Sequence, residues 1–129
     1  MLTIVTIMSE KHKILVVEDD EIMQRALVFS LEKATFEVTS VATIEEAVDA
    51  LETSMFSIVL TDIFLPDGDG MEIQALVNKK LPEIPVLAMT AYLNMELGKR
   101  AREFFGDRLI EKPFKKKALI GKIRKLIEK

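Results

Sequence analysis

The sequence predicts an α/β domain in which a doubly wound parallel sheet of five strands carries helices on both faces. The first supporting observation is that short apolar runs alternate with segments of helical periodicity five times along the 129 residues. Such alternation is typical of parallel strands joined by right-handed helical crossovers. The second is that runs such as Ile14–Val17 and Ile58–Leu60 are apolar throughout, which is the pattern of strands buried on both faces.

The first half of the chain is predicted to form three strands and two helices. In order, these are strand Lys13–Val17, helix Glu21–Ala34, strand Glu37–Val41, a helix from Thr43 to about Thr53, and strand Ser57–Thr61. The first helix is predicted because Met23, Leu27 and Leu31 recur on one helix face. The second helix is predicted from Thr43 and Glu46, whose spacing is that of a capping box, in which each side chain satisfies a backbone N–H at the helix start.

The second half of the chain is predicted to form two strands and three helices. These are helix Met71–Lys80, strand Pro85–Thr90, helix Asn94–Phe105, strand Arg108–Glu111 and helix Lys115–Glu128. Residues 65–70 precede them and are predicted to form a loop, because proline and glycine break both regular structures. The last helix carries an apolar stripe that should face the core, formed by Leu119, Ile120, Ile123, Leu126 and Ile127.

Composition excludes several kinds of site. The chain has no cysteine, so disulfides, thiolate metal sites and a cysteine nucleophile are excluded, and a cytoplasmic location is expected. Its one histidine, His12, precedes the first strand, which disfavours a multi-histidine metal site. A net charge of −3 gives no general case for binding nucleic acid or a membrane. No apolar stretch approaches the roughly 20 residues that span a bilayer.

The two ends of the chain lead to expectations about domain organisation. Residues 1–12 are expected to be an N-terminal extension and residues 13–129 the folded domain. The run Leu2–Ile7 lacks a basic leader and a cleavage site, so it is a poor signal peptide. It can be an upstream start or added extension, or an extra strand or contact surface, and the sequence leaves both open. No attached output domain is expected, because the chain ends with the fifth predicted helix.

Polar side chains follow four of the predicted strands at their carboxyl ends. Glu18 and Asp19 follow the first strand, Asp62 follows the third, Thr90 ends the fourth and Lys112 follows the fifth. Because ligands of open α/β sheets bind beyond the carboxyl ends of the strands, we expect these side chains to converge. Crowded carboxylates are costly unless a cation lies among them, and their oxygen atoms suit Mg²⁺.

Each acid can instead cap the helix that follows it. For Asp20 this alternative is as good as a role in the site. It is weaker for Asp62, because the apolar residues 63–65 follow it rather than a helix.

The same side chains suit phosphoryl transfer. A carboxylate can act as the nucleophile and form an aspartyl-phosphate, and the protein then has mainly to position the phosphoryl group and neutralise its oxygens. The metal can serve one oxygen, Lys112 a second as a compact charge, and Thr90 a third by a hydrogen bond.

At these residues the chain resembles the receiver domain of two-component response regulators. The matching segments are residues 14–20, 61–70, 90–91 and 112–114, which read ILVVEDD, TDIFLPDGDG, TA and KPF. They occur in the family's order and spacing, and the likeness covers about residues 13–129. The resemblance implies a flavodoxin-like fold with strand order 2-1-3-4-5. It also implies a stand-alone phosphoacceptor similar to the chemotaxis response regulators, and not an enzyme.

The resemblance also implies a phosphorylation and metal site. Asp62 would accept a phosphoryl group from a sensor histidine kinase or a histidine phosphotransfer protein. Glu18, Asp19, Asp62 and the backbone carbonyl of Phe64 would hold Mg²⁺, with Glu18 acting through water. A downstream effector protein would bind the surface formed by the fourth helix, fifth strand and fifth helix. The domain would be a monomer or a phosphorylation-dependent dimer. It would bind neither nucleic acid nor a membrane.

The switch residues match the family in part. Lys112 would pair with the phosphoryl oxygens and precede a cis bond to Pro113, and Thr90 would swing toward the phosphoryl group. The family usually has an aromatic residue three positions before the lysine, where this chain has Leu109. Leucine has no hydroxyl and a different shape, so signal transmission through this position departs from the family pattern.

Two bulky side chains are expected to flank the phosphoryl group. Phe64 lies two positions after the phosphoacceptor and Tyr92 two positions after Thr90. They could obstruct the attacking water and prolong the phosphorylated state, or they could only pack the loops, and both interpretations stay open.

Other functions fit the sequence less well. A Mg²⁺-dependent phosphatase using an aspartyl-phosphate normally has a second acid at the position of Phe64, and a calcium loop at residues 67–70 lacks its downstream ligands. A phosphorylation-independent pseudo-receiver is favoured only by Leu109. The basic residues of 115–129 indicate a solvated helix face more than a docking surface, although the latter stays open.

Overall fold

The computed structural model describes residues 11–128, so most of the expected N-terminal extension lies outside the described residues, and its boundary stays a prediction. The main sheet consists of β1 (Lys13–Val17), β2 (Glu37–Val41), β3 (Ile58–Asp62), β4 (Val86–Thr90) and β5 (Leu109–Glu111). All neighbouring strands are parallel and their order is β2-β1-β3-β4-β5. The predicted doubly wound topology is therefore confirmed.

Five helices in residues 11–128 cover the two faces of this sheet. They are α1 (Glu21–Lys33), α2 (Ile44–Thr53), α3 (Gly70–Lys80), α4 (Glu96–Phe105) and α5 (Lys116–Ile127). None of the five is long and apolar enough to cross a membrane. A short 3₁₀ turn at Gly106–Arg108 leads from α4 into β5.

The core explains why the central strands are apolar at every position. Ile14 and Val16 point to the face covered by α1 and α5, whereas Leu15 and Val17 point to the face covered by α2, α3 and α4. All four side chains are fully buried. Burying a side chain of this size stabilises the fold by about 2 kcal/mol, so both faces favour apolar residues and no alternation appears.

The ends of most elements differ from the predicted ends by one or two residues. The largest shift is at α4, which begins at Glu96 rather than at Asn94. The reason is a turn in which the Met95 N–H donates to the Tyr92 carbonyl over 3.1 Å. The predicted loop of residues 65–70 is also more regular than expected, because Phe64–Leu65 pairs with Gly68–Asp69 in a short antiparallel ladder.

Two acidic residues of this loop, Asp67 and Asp69, form hydrogen bonds with the starts of two helices. The Asp69 carboxylate caps α3 by accepting from the N–H groups of Met71 and Glu72. The Asp67 carboxylate reaches α2 and accepts from the N–H groups of Ile44 and Glu45 over 2.9 and 3.1 Å. These hydrogen bonds hold the pKa of the exposed Asp67 carboxyl below its ordinary value, and the one from Ile44 has the largest effect.

The predicted capping box of α2 forms only in part. The Thr43 hydroxyl accepts from the Glu46 N–H over 3.1 Å, as predicted. The Glu46 carboxylate accepts from the N–H of Ala42 rather than from that of Thr43. Together with Asp67, these contacts satisfy the N–H groups that the first turn of α2 leaves without helical partners.

Candidate functional site

The register of the sheet brings the predicted site residues to one edge. Val17 of β1 lies opposite Thr61 of β3, so Glu18 comes level with Asp62. Thr90 of β4 lies opposite Glu111 of β5, which places Lys112 beside the same edge. The residues converge because parallel strands end together there.

Three carboxylates of this cluster lie close enough to share a cation. Glu18, Asp19 and Asp62 each offer one oxygen, and these oxygens lie within 4.8 Å of one another. Glu18 is 1% exposed and Asp62 is 8% exposed, whereas Asp19 faces solvent. The cluster lies in an open cleft of about 650 Å³, whose walls include Met23, Leu65 and Pro66 as well as the acids.

Lys112 bridges the two buried acids. Its ammonium Nζ lies 2.7 Å from Glu18 Oε1 and 2.7 Å from Asp62 Oδ2, and its side chain is only 13% exposed. The peptide bond from Lys112 to Pro113 is cis, as the sequence resemblance implied. Charge-assisted hydrogen bonds of this length in a partly buried site are the strong kind.

Burial and the neighbouring charged groups both shift the pKa values of Lys112 and Glu18. Burial lowers the pKa of the Lys112 ammonium, but its hydrogen bonds to Asp62 and Glu18 outweigh burial, so this pKa lies above its ordinary value. Burial raises the pKa of the Glu18 carboxyl, the hydrogen bond from Lys112 opposes that rise, and the charge of Asp62 adds to it. Three carboxylates and one ammonium leave the site with surplus negative charge, which favours an added cation.

The donor set fits Mg²⁺ by its chemistry. It offers oxygen atoms only, and the formal charge of the three carboxylates and Lys112 is equal and opposite to that of a divalent cation. Hard divalent cations of this kind bind through one or two carboxylates together with waters and phosphate oxygens. The part predicted for the Phe64 carbonyl stays a prediction.

Asp20 lines the same cleft and begins the next helix. Its carboxylate Oδ1 accepts hydrogen bonds from the N–H groups of Ile22 and Met23 over 3.0 and 3.1 Å. It is therefore the N-cap of α1. The helix cap that the sequence allowed for this acid is therefore observed, and a role in the site stays a prediction.

Thr90 is fully buried and its hydroxyl is engaged by the backbone. Thr90 Oγ1 accepts a hydrogen bond from the N–H of Tyr92 over 3.0 Å. The ring of Tyr92 packs edge-on against the ring of Phe64, with centroids 5.2 Å apart and planes at 84°. The N–H of Phe64 in turn donates to Asp62 Oδ1 over 3.1 Å. The two bulky side chains therefore meet beside the acidic cluster.

Leu109 forms part of the core packing of β5. It is half-buried at the start of β5, opposite Ala88 of β4, and packs against the core on the α2, α3 and α4 side. As an aliphatic side chain it can offer neither a hydrogen bond nor an aromatic edge to Thr90.

Gln24 contributes to the site in a way that the sequence analysis missed. Its amide Nε2 donates to the carbonyls of Glu18 and Val41 over 2.9 and 3.0 Å, joining the ends of β1 and β2. These contacts fix the backbone from which the Glu18 side chain extends. No spacing or motif distinguishes this glutamine from a surface residue of α1, so only the folded structure reveals its role.

Comparisons with known proteins agree with this geometry. A family model described as the response regulator receiver domain matches residues 14–124. The response regulator receiver protein CpdR of Brucella abortus is 31% identical over 115 residues, which cover 89% of this chain and 96% of CpdR. The response regulator protein FleR of Pseudomonas aeruginosa is 36% identical over 109 residues, which cover 84% of this chain but only 23% of FleR. Where relatives are longer, as FleR is, the chain spans only part of them.

Solved structures show the same fold. The CheY-like response regulator receiver domain protein of Methanospirillum hungatei superposes with a TM-score of 0.83 at 28% identity. The superposition covers 92% of this chain and 95% of that one.

Proposed function

The chain belongs to the response regulator receiver domain family, and on that premise we propose that Asp62 is the residue that accepts the phosphoryl group. Members of this family are regulatory phosphoacceptor domains of two-component systems rather than catalytic enzymes. Both Asp62 and Glu18 contact the Lys112 ammonium over 2.7 Å in the cleft of the candidate site. The observation that carries the assignment is that Asp62 is 8% exposed whereas Glu18 is only 1% exposed, so Asp62 is the more accessible of the two carboxylates that Lys112 holds.

The proposed reaction is an in-line displacement at phosphorus. An oxygen of the Asp62 carboxylate attacks the phosphorus of a phosphohistidine that is protonated at its other ring nitrogen. The O–P bond forms as the P–N bond breaks, and the electron pair of the P–N bond returns to the imidazole, which leaves neutral. The N–H of Phe64 and the ammonium of Lys112 each hold one oxygen of the carboxylate, so its orientation is set before the donor arrives.

Each neighbouring residue has a proposed part in this step. Glu18 and Asp19, with Asp62, would hold Mg²⁺, which when bound neutralises charge on the phosphoryl oxygens. Lys112 would exchange its contact with Asp62 for one with a phosphoryl oxygen, since it already lies at hydrogen-bond distance from that carboxylate. Thr90 would donate a hydrogen bond from its hydroxyl to another phosphoryl oxygen.

The alternative functions are less well supported. An aspartyl-phosphate phosphatase needs an acid beside the nucleophile to protonate its leaving group, and the side chain at that position is Phe64, packed on Tyr92. A pseudo-receiver would not require the buried bridge from Lys112 to Glu18 and Asp62. Both alternatives make different predictions in the experiment described below.

The partners follow from the proposed chemistry. Receiver domains interact with kinases or phosphotransfer proteins and with effectors. For this chain we propose a sensor histidine kinase or histidine phosphotransfer protein as donor, an effector protein as reader, and a cytoplasmic location. We expect a monomer or a phosphorylation-dependent dimer, and no nucleic acid bound through this domain.

The test is a measurement of intact mass after incubation with Mg²⁺ and acetyl phosphate. One added phosphoryl group is expected on the wild-type chain, none on Asp62→Asn, and one on the control Asp49→Asn, which makes the same change on the exposed face of α2. An adduct that survives in Asp62→Asn would contradict the assignment. Absence of any adduct would favour the pseudo-receiver, and steady hydrolysis of varied phosphate esters would favour the phosphatase.

A further inference from the structure

A second hollow lies at the opposite end of the sheet from Asp62, where β4 and β5 begin. This hollow, the Arg108 pocket, has a volume of about 400 Å³ and lies beside the C-terminal parts of α3 and α4. Apolar side chains form much of its wall, among them Ile84, Phe104 and Leu126. This size, with apolar walls and a few placed polar groups, is typical of sites for small ligands.

Arg108 lines the pocket and carries a positive charge that no acid balances. Its Nη1 donates to Gln74 Oε1 over 2.6 Å and to the carbonyl of Val86 over 3.2 Å. Both acceptors are neutral, and Arg108 forms no ion pair within residues 11–128. Its Nη2 and Nε donate to none of these residues either. Because a partly buried charge is costly without a partner, the pocket favours an anion.

The guanidinium is held in place by its neighbours. Its carbon Cζ lies 5.5 Å from the centroid of the Phe105 ring, which is 2% exposed. Gln74, which accepts from Arg108, is 7% exposed and donates to Asn78 Oδ1 over 2.8 Å. Asn78 also lines the pocket, and its Nδ2 is available as a further donor. Groups fixed in this way lose little freedom when a ligand binds.

We propose that the Arg108 pocket binds a small monocarboxylate whose apolar body lies against Ile84 and Phe104. The planar fork of an arginine matches a carboxylate, to which Nη2 and Nε can donate two parallel hydrogen bonds. The Asn78 amide can donate to the same group. This site is separate from the acidic cluster, and the proposal does not depend on phosphorylation of Asp62.

Glu83 limits the charge that the pocket accepts. It is the one acid among the described residues that line the pocket, and its side chain is exposed. Solvent weakens its repulsion of a single negative charge, but each further charge on the ligand adds to that repulsion. A monocarboxylate is therefore expected to bind more tightly than phosphate.

The test is an NMR titration of the full chain, labelled with ¹⁵N, with 3-phenylpropionate. We expect saturable shifts at amides of residues 74–86 and 104–108, with a Kd on the order of 1 mM for a ligand of about 11 non-hydrogen atoms. 3-Phenylpropanol, which lacks the charge, and acetate, which lacks the apolar body, should each bind at least tenfold more weakly. Equal binding of 3-phenylpropanol or of inorganic phosphate would overturn the proposal, as would the absence of saturable shifts.

Variants test which side chains hold the ligand. Arg108→Gln should weaken binding at least tenfold, and unchanged binding in this variant would contradict the proposal. Because Arg108 also supports Gln74, a second variant keeps the test valid if Arg108→Gln fails to fold. Glu83→Gln should strengthen binding about two- to threefold, whereas the control Glu32→Gln makes the same change on the exposed surface of α1 and should leave the Kd unchanged. Weaker binding in Glu83→Gln, or an equal effect in both, would overturn the proposal.

Discussion

Gly98 and Gly121 lie inside helices α4 and α5, and the same substitution to alanine should act on them in opposite directions. A Cβ at Gly121 would meet no other atom within 4 Å. A Cβ at Gly98 would lie 1.9 Å from the carbonyl oxygen of Tyr92 and 2.7 Å from its carbonyl carbon. Since both neighbours at Gly98 are backbone atoms, they cannot rotate out of the way as a side chain would.

The magnitudes follow from these distances. At Gly121 only the helix propensity changes, and alanine should stabilise the fold by about 1 kcal/mol. At Gly98 the Tyr92 carbonyl would have to retreat by about 1 Å or more to reach van der Waals distance. Because backbone atoms have to move, we expect a cost in the upper part of the range for overpacking, about 2–3 kcal/mol. Allowing for the propensity gain, Gly98→Ala should destabilise the fold by about 1–2 kcal/mol.

Urea unfolding at neutral pH measures both variants against the wild type. With a slope of about 1–3 kcal/mol per molar urea, the two midpoints should fall on opposite sides of the wild-type midpoint and differ by about 1 M or more. An unchanged slope in both variants would show that the folded and unfolded states keep their compactness. The reasoning is refuted if Gly98→Ala matches or exceeds the stability of the wild type, because the backbone contact would then cost no more than the gain in helix propensity.

Three further outcomes test the site and its surroundings. Phe64→Asn should shorten the half-life of the phosphorylated state by about tenfold, because the smaller side chain opens a path for water to the phosphoryl group. A tenfold change corresponds to about 1.4 kcal/mol in barrier height. An unchanged half-life, measured by intact mass over time, would rule out shielding by the Phe64 ring. Lys112→Met should destabilise the fold by about 3 kcal/mol, because Glu18 and Asp62 then lose their buried counter-charge. Added Mg²⁺ should restore part of that loss in urea unfolding, and no effect of Mg²⁺ on this variant would argue against a cation site. The Asp67 carboxyl has a lowered pKa, so its contribution to stability is complete above its ordinary pKa of about 4 and is lost as the pH falls through the lowered value. Asp67→Asn should therefore be less stable than the wild type at neutral pH and approach it in strong acid, whereas parallel stability curves across this range would contradict the charge-dependent cap.

The sheet and the convergence of its polar residues could be predicted from the sequence because both follow from short-range patterns. The uninterrupted apolar runs of β1 and β3 indicate burial on both faces, and parallel strands must end at the same edge. That edge gathers Glu18, Asp62 and Lys112 whatever the details of the loops. The same short-range patterns led to the predicted strand order, which the structure confirms.

Contacts between separate structural elements could not be predicted in this way. Asp67 capping α2, Gln24 joining β1 to β2 and Tyr92 lying on Gly98 each depend on how two elements pack. No periodicity or capping pattern within either segment records such a contact. The later start of α4 belongs to the same class, since the turn at residues 92–95 takes up residues that helical propensity alone would assign to the helix.

The double cap formed by Asp67 and Asp69 restricts where foreign sequence can be inserted. These acids are two positions apart and hold the starts of two different helices, so one residue added between them would release at least one helix next to Asp62. The exposed turn at Pro82 and Glu83 lies at the opposite end of the sheet, where α3 leads into β4. A peptide tag or fluorescent reporter placed at that turn should leave the cleft intact.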